Sequence, residues 1–256
     1  MRFTPAACRA LTLAGGQVSS LRNAPRDPGL HPLTGAVFGD DSDIMVVFIH
    51  GDASSGGAAD YLYNFAKDLA TYKDVIAIAI LRPGYWDSHG RKSVGSNNRR
   101  RDHYTAENNK LLADTIAYFK AENGIERVIA MGHSGGAAQL GVIIGQCPGL
   151  IDVAILVSCP CDVKAWRKHR KPKGKGWPNS QSPMDFVKQV DRKTIVDALT
   201  GSEDTNTLPR FARKYIEKLV GCVPNAHFEE IKGGDHRFGT LAAEVMVKIK
   251  SRLGTH

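Results

Sequence analysis

The chain has 256 residues, of which 42% are hydrophobic and 23% are charged, a balance typical of a soluble globular protein. This length is sufficient for one α/β domain with a sizeable core. No stretch reaches the roughly 18 apolar residues that a membrane span requires. Because Arg9 interrupts the apolar part of the N-terminus, we expect a cytoplasmic protein that does not bind membranes.

The net charge of +8 describes a basic protein, whose surface can attract nucleic acid, anionic membranes or acidic substrates. The five cysteines are odd in number and scattered, which favours reduced thiols over a disulfide framework. Cys159 and Cys161 lack the spacing of a redox motif or a zinc site. We therefore expect no metal.

From residue 44 onward, short apolar runs alternate with segments whose apolar residues recur at helical spacing. Strands are predicted over residues 44–50, 75–81, 127–131, 151–158, 194–200 and 226–232. Helices are predicted over residues 58–72, 107–123, 135–147, 208–220 and 239–253. This alternation predicts a parallel sheet with helices on both faces. Residues 10–20 and 32–38 are candidates for short antiparallel edge strands.

Two predicted connections are too long to be simple turns. The first spans residues 82–105, and the second is a small insertion of basic character at about residues 160–192. Long loops at strand ends of an α/β sheet commonly carry substrate contacts. We treat residues 1–256 as a single domain, with the second loop as its small cap.

A serine between glycines follows one of the predicted strands. The segment Gly132-His133-Ser134-Gly135-Gly136 matches the pattern G-x-S-x-G, with a strand before it and a helix after it. In such a turn the backbone crowds the glycine positions, and the serine takes a strained positive φ. The hydroxyl is then presented at a helix N-terminus, which favours developing negative charge. The pattern predicts that Ser134 is a nucleophile, the alternative being a plain tight turn.

A serine nucleophile needs a base and an acid, which should follow it in the order acid, then histidine. We predict His236 as the base, because it lies in a glycine-flanked loop between the last strand and the last helix. We predict Asp204 as the acid, because it follows a strand end; a helix cap is its structural alternative. The remaining candidates are His169, His227 and His256 for the base, and Glu203 and Asp162 for the acid.

Two backbone N–H groups should stabilise the oxyanion of such a reaction. One is that of Gly135, directly after the serine, and the other is that of Asp52, in the loop after the strand that ends at His50. An aspartate is awkward beside an oxyanion, so its carboxylate must turn away, with Ser54 and Ser55 as candidate partners. The alternative is an ordinary glycine-rich turn.

Together these motifs resemble the α/β-hydrolase superfamily, in the group of esterases, dienelactone-hydrolase-like enzymes and prolyl-oligopeptidase catalytic domains. The resemblance implies a mostly parallel eight-stranded sheet and no cofactor. The chain departs from the family pattern in the small insertion of about 30 residues, where many relatives carry a full helical lid. The residues that carry the resemblance run from about residue 44 to the C-terminus: His50-Gly51, 82–88, 132–136, 201–204 and Asp235-His236.

The combined features predict a serine hydrolase that cleaves a carboxylic ester or thioester of a small molecule through an acyl-enzyme. A peptidase of the prolyl-oligopeptidase type is the alternative within hydrolases, and a non-catalytic binding protein of the same fold is the alternative outside them. Labelling with a fluorophosphonate probe separates enzyme from binder.

Two clusters of cations lie in the long loops that flank the predicted nucleophile. They form either a solvated, mobile flap or a surface that attracts an anionic substrate. No recognised nucleic-acid-binding fold accompanies them, so we expect no nucleic acid partner. The cap cluster lies beside Trp166 and Trp177, and the two clusters comprise Lys164, Arg167, Lys168, Arg170, Lys171, Lys173 and Lys175 in the cap and Arg99, Arg100 and Arg101 in the first loop.

Overall fold

The computed structural model describes residues 33–254. In this part of the chain, seven strands form one sheet in the order β1-β3-β2-β4-β5-β6-β7. All neighbouring strands are parallel except β1, which pairs with β3 in the antiparallel direction. The strands are β1 (Gly35–Phe38), β2 (Ile44–Ile49), β3 (Ile76–Ile80), β4 (Arg127–His133), β5 (Val153–Val157), β6 (Ile195–Gly201) and β7 (Ala226–Ile231).

Helices cover both faces of this sheet. On one face α2, α3 and α5 pack their apolar residues against the strands, and on the other face α1 and α6 do so. The central strands are buried on both faces, which is why their sequences are continuous apolar runs. The helices are α1 (Tyr63–Tyr72), α2 (Ala106–Glu122), α3 (Gly135–Gln146), α4 (Val163–Arg170), α5 (Pro209–Leu219) and α6 (Ala242–Leu253).

The fold prediction is confirmed in class and largely in element order. The resemblance implied eight strands, whereas the sheet of residues 33–254 has seven. Of the two predicted edge segments, residues 32–38 contain β1, and residues 10–20 lie outside the described residues. None of the described helices combines the length and the apolar character needed to traverse a lipid bilayer.

The prediction of reduced thiols is wrong for the cysteines beside the cap. Cys159 and Cys161 form a disulfide bond directly after β5, and Cys147 is also disulfide-bonded. Cys222 keeps a free thiol. Residue spacing did not reveal the bond because a single intervening proline gives no redox or metal signature.

The cap segment, residues 160–192, contains α4 and two short 3₁₀ turns. It is joined to the first long loop by main-chain contacts: Gln181 N–H donates to the carbonyl of Tyr104, at 2.9 Å. The carboxylate of Asp102 accepts the N–H groups of Asn179 and Ser180, at distances of 2.9 to 3.2 Å. The two loops therefore form one continuous layer over the carboxyl edge of the sheet.

Candidate active site

Ser134 lies in a sharp turn between β4 and α3. Its backbone has φ 52° and ψ −116°, the strained conformation expected of a nucleophile elbow. A Cβ atom on Gly132 would lie 2.6 Å from the backbone of Gly136, and one on Gly136 would lie 2.2 Å from the carbonyl oxygen of Ile49. Only glycines fit these two positions, because α3 and β2 approach them so closely.

The three predicted side chains meet at the carboxyl edge of the sheet. The Oγ atom of Ser134 lies 3.0 Å from Nε2 of His236, and Nδ1 of the same ring lies 2.9 Å from Oδ2 of Asp204. The serine follows β4, the aspartate follows β6 and the histidine follows β7. The three residues are far apart in the sequence but close in space, because parallel strands end at the same edge of the sheet.

Asp204 is buried and held in place by several donors. The backbone N–H groups of Asn206 and Thr207 donate to Oδ1, at 2.9 and 2.8 Å, and the Thr207 hydroxyl donates to Oδ2 at 2.7 Å. Burial acts to raise the pKa of this carboxyl, but the hydrogen bond from His236 and the donors of Thr207 outweigh it, and the pKa is lowered. Asp204 therefore presents an ionised acceptor to His236.

The alternative acids and bases lie elsewhere. Glu203 and His227 are exposed, and Asp162 caps α4 by accepting the N–H of Ala165. The ring of His169 contacts the carbonyl oxygen of Thr205, at 2.9 Å. The remaining candidate, His256, lies outside the described residues.

The loop after β2 approaches the elbow where the oxyanion would form. A Cβ on Gly51 would lie 3.0 Å from Cβ of Ser134, so the two segments are in contact. The N–H of Gly51 is occupied, since it donates to the Tyr61 hydroxyl at 2.6 Å. Over the described residues, no hydrogen bond uses the N–H of Asp52 or of Gly135. These two donors are therefore available to a ligand.

The carboxylate of Asp52 does not bond to Ser54 or Ser55, the partners expected from the sequence. Instead Oδ1 accepts a hydrogen bond from Nη1 of Arg82 and Oδ2 accepts one from the Tyr104 hydroxyl, both at 2.7 Å. Burial acts to raise the pKa of Asp52, but the guanidinium of Arg82 outweighs it and holds the pKa far below its ordinary value. Asp52 is therefore a charged, immobilised residue.

Arg82 is the centre of this buried polar cluster. Its side chain is fully buried, and its Nε donates to Gln139 Oε1 at 2.5 Å while Nη2 approaches Nε2 of His103 at 3.0 Å. Because a guanidinium can only donate, Nε2 of His103 must accept. Burial lowers the pKa of His103, which agrees with a neutral ring. A Cβ on Gly135 would lie 2.3 Å from Oδ1 of Asp52, so the cluster also excludes a side chain after the nucleophile.

A second hydrogen-bonded chain joins three loops around the nucleophile, and sequence reasoning missed it. The Tyr61 hydroxyl lies 2.6 Å from Nδ1 of His133, and Nε2 of that ring lies 3.0 Å from the carbonyl oxygen of His236. The carbonyl can only accept, so Nε2 of His133 donates and Nδ1 accepts from the tyrosine. Burial, followed by the charge of His236, lowers the pKa of His133 to about 3. The position of His133 inside the G-x-S-x-G pattern was the available signal.

The predicted basic clusters differ in what they contact. Arg100 is used structurally: its guanidinium donates to the carbonyl oxygens of Ala53 and Gly57 and packs over Trp86. In the cap, a cleft of about 1050 Å³ is lined by cations that include Lys164 and Arg167.

Over residues 33–254, no group of three or more His, Cys, Asp or Glu side chains is arranged to hold a metal ion.

The fold agrees with comparisons to known proteins. Residues 46–193 match the alpha/beta hydrolase family, and the chain belongs to this family. No curated protein matches the chain.

Solved structures of low sequence identity share the fold. The esterase Pf2001 of Pyrococcus furiosus superposes with a TM-score of 0.64 at 17% identity, covering 87% of this chain and 85% of the esterase. A monoacylglycerol lipase of Paleococcus ferrophilus gives 0.62 at 19% identity, over 86% of this chain and 98% of the lipase. An acylaminoacyl peptidase of Pyrococcus horikoshii gives 0.63 at 16% identity, over 86% of this chain but 38% of the peptidase.

Proposed function

We propose that this protein is a serine hydrolase that cleaves a carboxylic ester or thioester of a small molecule. The observation that carries the proposal is the unbroken contact from Ser134 Oγ to His236 Nε2 and from His236 Nδ1 to Asp204, at 3.0 and 2.9 Å. A serine hydroxyl becomes a nucleophile when a neighbouring base accepts its proton. Membership of a hydrolase family supports the same conclusion.

In the proposed reaction, Oγ of Ser134 attacks the carbonyl carbon while its proton passes to Nε2 of His236. Asp204 accepts the hydrogen bond of Nδ1–H, fixes the tautomer and stabilises the imidazolium. His236 then returns the proton to the leaving alcohol or thiol, and an acyl-enzyme remains. Water attacks this ester with His236 as the base, which releases the acid and restores Ser134.

The oxyanion of both tetrahedral intermediates binds to the N–H groups of Asp52 and Gly135. Two features support this role: both groups are free of partners in the described part of the chain, and their residues are in contact across the elbow. Gly51 precedes the proposed donor and is tied to Tyr61, which fixes the orientation of the next peptide. A preorganised donor of this kind is worth about 10²–10³ in kcat.

Ester cleavage is favoured over peptide cleavage. Two of the proteins that share this fold are named an esterase and a lipase, and each is covered over more than four fifths of its length. The peptidase that shares the fold is covered over 38% of its length. Peptide cleavage remains the second candidate because the proposed chemistry serves both bonds.

The test compares the protein with its Ser134→Ala variant on 4-nitrophenyl esters of different acyl length and on aminoacyl 4-nitroanilides. We expect ester turnover that falls by several orders of magnitude in the variant, with unchanged thermal unfolding, and fluorophosphonate labelling that disappears. Ser251→Ala, on α6, is the matched control and should behave as the parent protein. Turnover retained in Ser134→Ala would reject the mechanism, and turnover of anilides alone would establish the peptidase.

A further inference from the structure

The cap carries one arginine whose position is fixed by aromatic rings. The guanidinium carbon of Arg167 lies 4.5 Å from the ring centroid of Trp177 and 5.1 Å from that of Trp166. The two indoles lie 5.1 Å apart at an interplanar angle of 82°, so they form a corner around the cation. Stacking on aromatic rings lowers the entropy that a long cationic side chain loses when it binds a ligand.

Arg167 lacks an acidic partner among the residues that the structure describes. No described carboxylate forms an ion pair with it, and its Nε atom is buried without a hydrogen bond. Two acids that line the same cleft serve other groups: Asp162 caps α4, and Asp102 binds the backbone of the cap at Asn179 and Ser180. Within residues 33–254, no acidic side chain therefore pairs with the charge of Arg167.

The corner that holds Arg167 is built onto the proposed active site. Trp177 packs against Tyr104 with centroids 5.2 Å apart, and the Tyr104 hydroxyl donates to Asp52 at 2.7 Å. On the other side, the indole N–H of Trp166 donates to Asn206 at 3.3 Å, two residues after Asp204. Arg167 is thus linked through Trp177 and Tyr104 to the loop after β2 that contains Asp52, the oxyanion loop, and through Trp166 to the loop after β6 that contains Asp204.

The cleft that Arg167 lines can hold a sizeable group. Its volume is about 1050 Å³, slightly above the roughly 300–1,000 Å³ typical of small-molecule sites. Cationic residues outnumber acidic ones in the lining of the cleft. The acidic residues are Asp102, Asp162 and Asp185, and the five cationic residues are Lys164, Arg167, Lys168, Lys171 and Lys175.

We propose that Arg167 binds an anionic oxygen group of the substrate, a carboxylate or a phosphate, and that the preferred substrates are therefore acidic esters. A guanidinium offers paired N–H donors that match the oxygens of either group. The proposal rests on the proposed hydrolase function and identifies its substrate class. Arg167 is a specificity-determining residue that binds the part of the substrate remote from the reacting carbonyl.

The experiment measures kcat/KM for three kinds of 4-nitrophenyl ester. The first are the monoesters of dicarboxylic acids from succinate to suberate, the second is 4-phosphonobutyrate, and the third is neutral hexanoate. Arg167→Met is compared with Arg170→Met, which removes one charge from an exposed position of the same helix outside the cleft. Arg167→Lys keeps the charge but loses the paired donors.

We expect Arg167→Met to lose about 10- to 100-fold in kcat/KM on an acidic ester, the range of one charge-assisted hydrogen bond. Its turnover of hexanoate should stay within about twofold of the parent protein, which also shows that the variant folds. Arg170→Met should leave the ratio of acidic to neutral turnover unchanged, and Arg167→Lys should recover part of the loss. The better of the carboxylate and phosphonate series identifies the anionic group.

Three results would overturn the proposal. The first is an equal effect of Arg167→Met on acidic and neutral esters, and the second is an equal effect of Arg170→Met and Arg167→Met on the acidic series. The third is a parent protein that prefers hexanoate to every acidic ester. These outcomes leave ester hydrolysis itself intact. By contrast, a protein that hydrolyses none of the esters and resists fluorophosphonate labelling contradicts the proposed function.

Discussion

The hydroxyl of Tyr61 joins the oxyanion loop to the nucleophile elbow, and its removal tests this part of the site. In Tyr61→Phe, the N–H of Gly51 loses its acceptor and Nδ1 of His133 loses its donor, both at 2.6 Å. Gly51 is buried and His133 is 6% exposed, so neither lost partner is simply replaced by bulk water. The phenylalanine ring keeps the apolar contacts of the tyrosine, including that with Phe238.

Each buried group left without a partner costs about 1–3 kcal/mol. Two such groups give about 2–6 kcal/mol, and because the Tyr61 residue is 42% exposed, water can enter and reduce the loss. We therefore expect the free energy of unfolding to fall by about 2–4 kcal/mol. We also expect kcat to fall about tenfold, since the peptide before Asp52 is no longer fixed and part of one oxyanion donor is lost.

Urea unfolding measures the first effect and ester turnover measures the second. The control is Tyr63→Phe, whose hydroxyl makes a longer contact of 3.3 Å with Asp87 and should contribute about 1 kcal/mol or less. If Tyr61→Phe unfolds at the same urea concentration as the parent protein, the hydrogen-bonded chain through His133 does not contribute to the free energy of unfolding. If stability falls but kcat does not, the chain holds the fold and leaves the oxyanion loop unaffected.

Four further predictions concern the elbow, the acid and the oxyanion loop. Gly136→Ala should prevent native folding, measured by circular dichroism, because its Cβ would lie 2.2 Å from a backbone oxygen. Thr207→Val should lower kcat several-fold on 4-nitrophenyl esters, because Asp204 loses a donor at 2.7 Å. Tyr104→Phe frees one oxygen of Asp52 and should lower kcat more than it raises KM. Because the pKa of Asp204 is lowered in the folded protein, its ionised carboxylate adds to the free energy of unfolding above about pH 4, and this contribution is lost as the pH falls through the lowered value. Acid unfolding of Asp204→Asn should not show this loss.

The sequence was most informative where local pattern and topology act together. Continuous apolar runs predicted the parallel strands, and the parallel strands imply that residues after β4, β6 and β7 meet at one edge. Ser134 was predicted from the G-x-S-x-G pattern, and Asp204 and His236 from their order in the chain and their positions after predicted strands; the three lie within hydrogen-bonding distance in the structure. The glycines around Ser134 follow from the same tight turn, because the backbone at those positions leaves no room for a Cβ.

The partners of individual side chains were not predictable in the same way. Asp52 was expected to use a serine of its own loop, but it binds Arg82 and Tyr104, 30 and 52 positions away. Many residues of suitable chemistry compete for a buried carboxylate, and only the three-dimensional packing selects among them. The same holds for Tyr61 and His133. In the sequence, Tyr61 is an aromatic residue of a predicted helix and His133 occupies a variable position of the G-x-S-x-G pattern; their contact depends on how the loops pack in three dimensions.

An aspartate beside a proposed oxyanion site demands an electrostatic explanation, which Arg82 supplies. Two unit charges about 4 Å apart interact with roughly 4 kcal/mol at an effective dielectric constant near 20, so an unpaired carboxylate would oppose the negative charge of the intermediate. With a buried guanidinium at 2.7 Å, the pair is neutral as seen from the reacting carbonyl. The same ion pair also anchors the Asp52 carboxylate, which can only accept hydrogen bonds, so that the proposed contact of this residue with an oxyanion is made by its backbone N–H alone. The ion pair between Asp52 and Arg82 thus compensates the carboxylate charge and also holds the loop in place. The aspartate is tolerated at this position because the arginine that neutralises it also fixes the peptide.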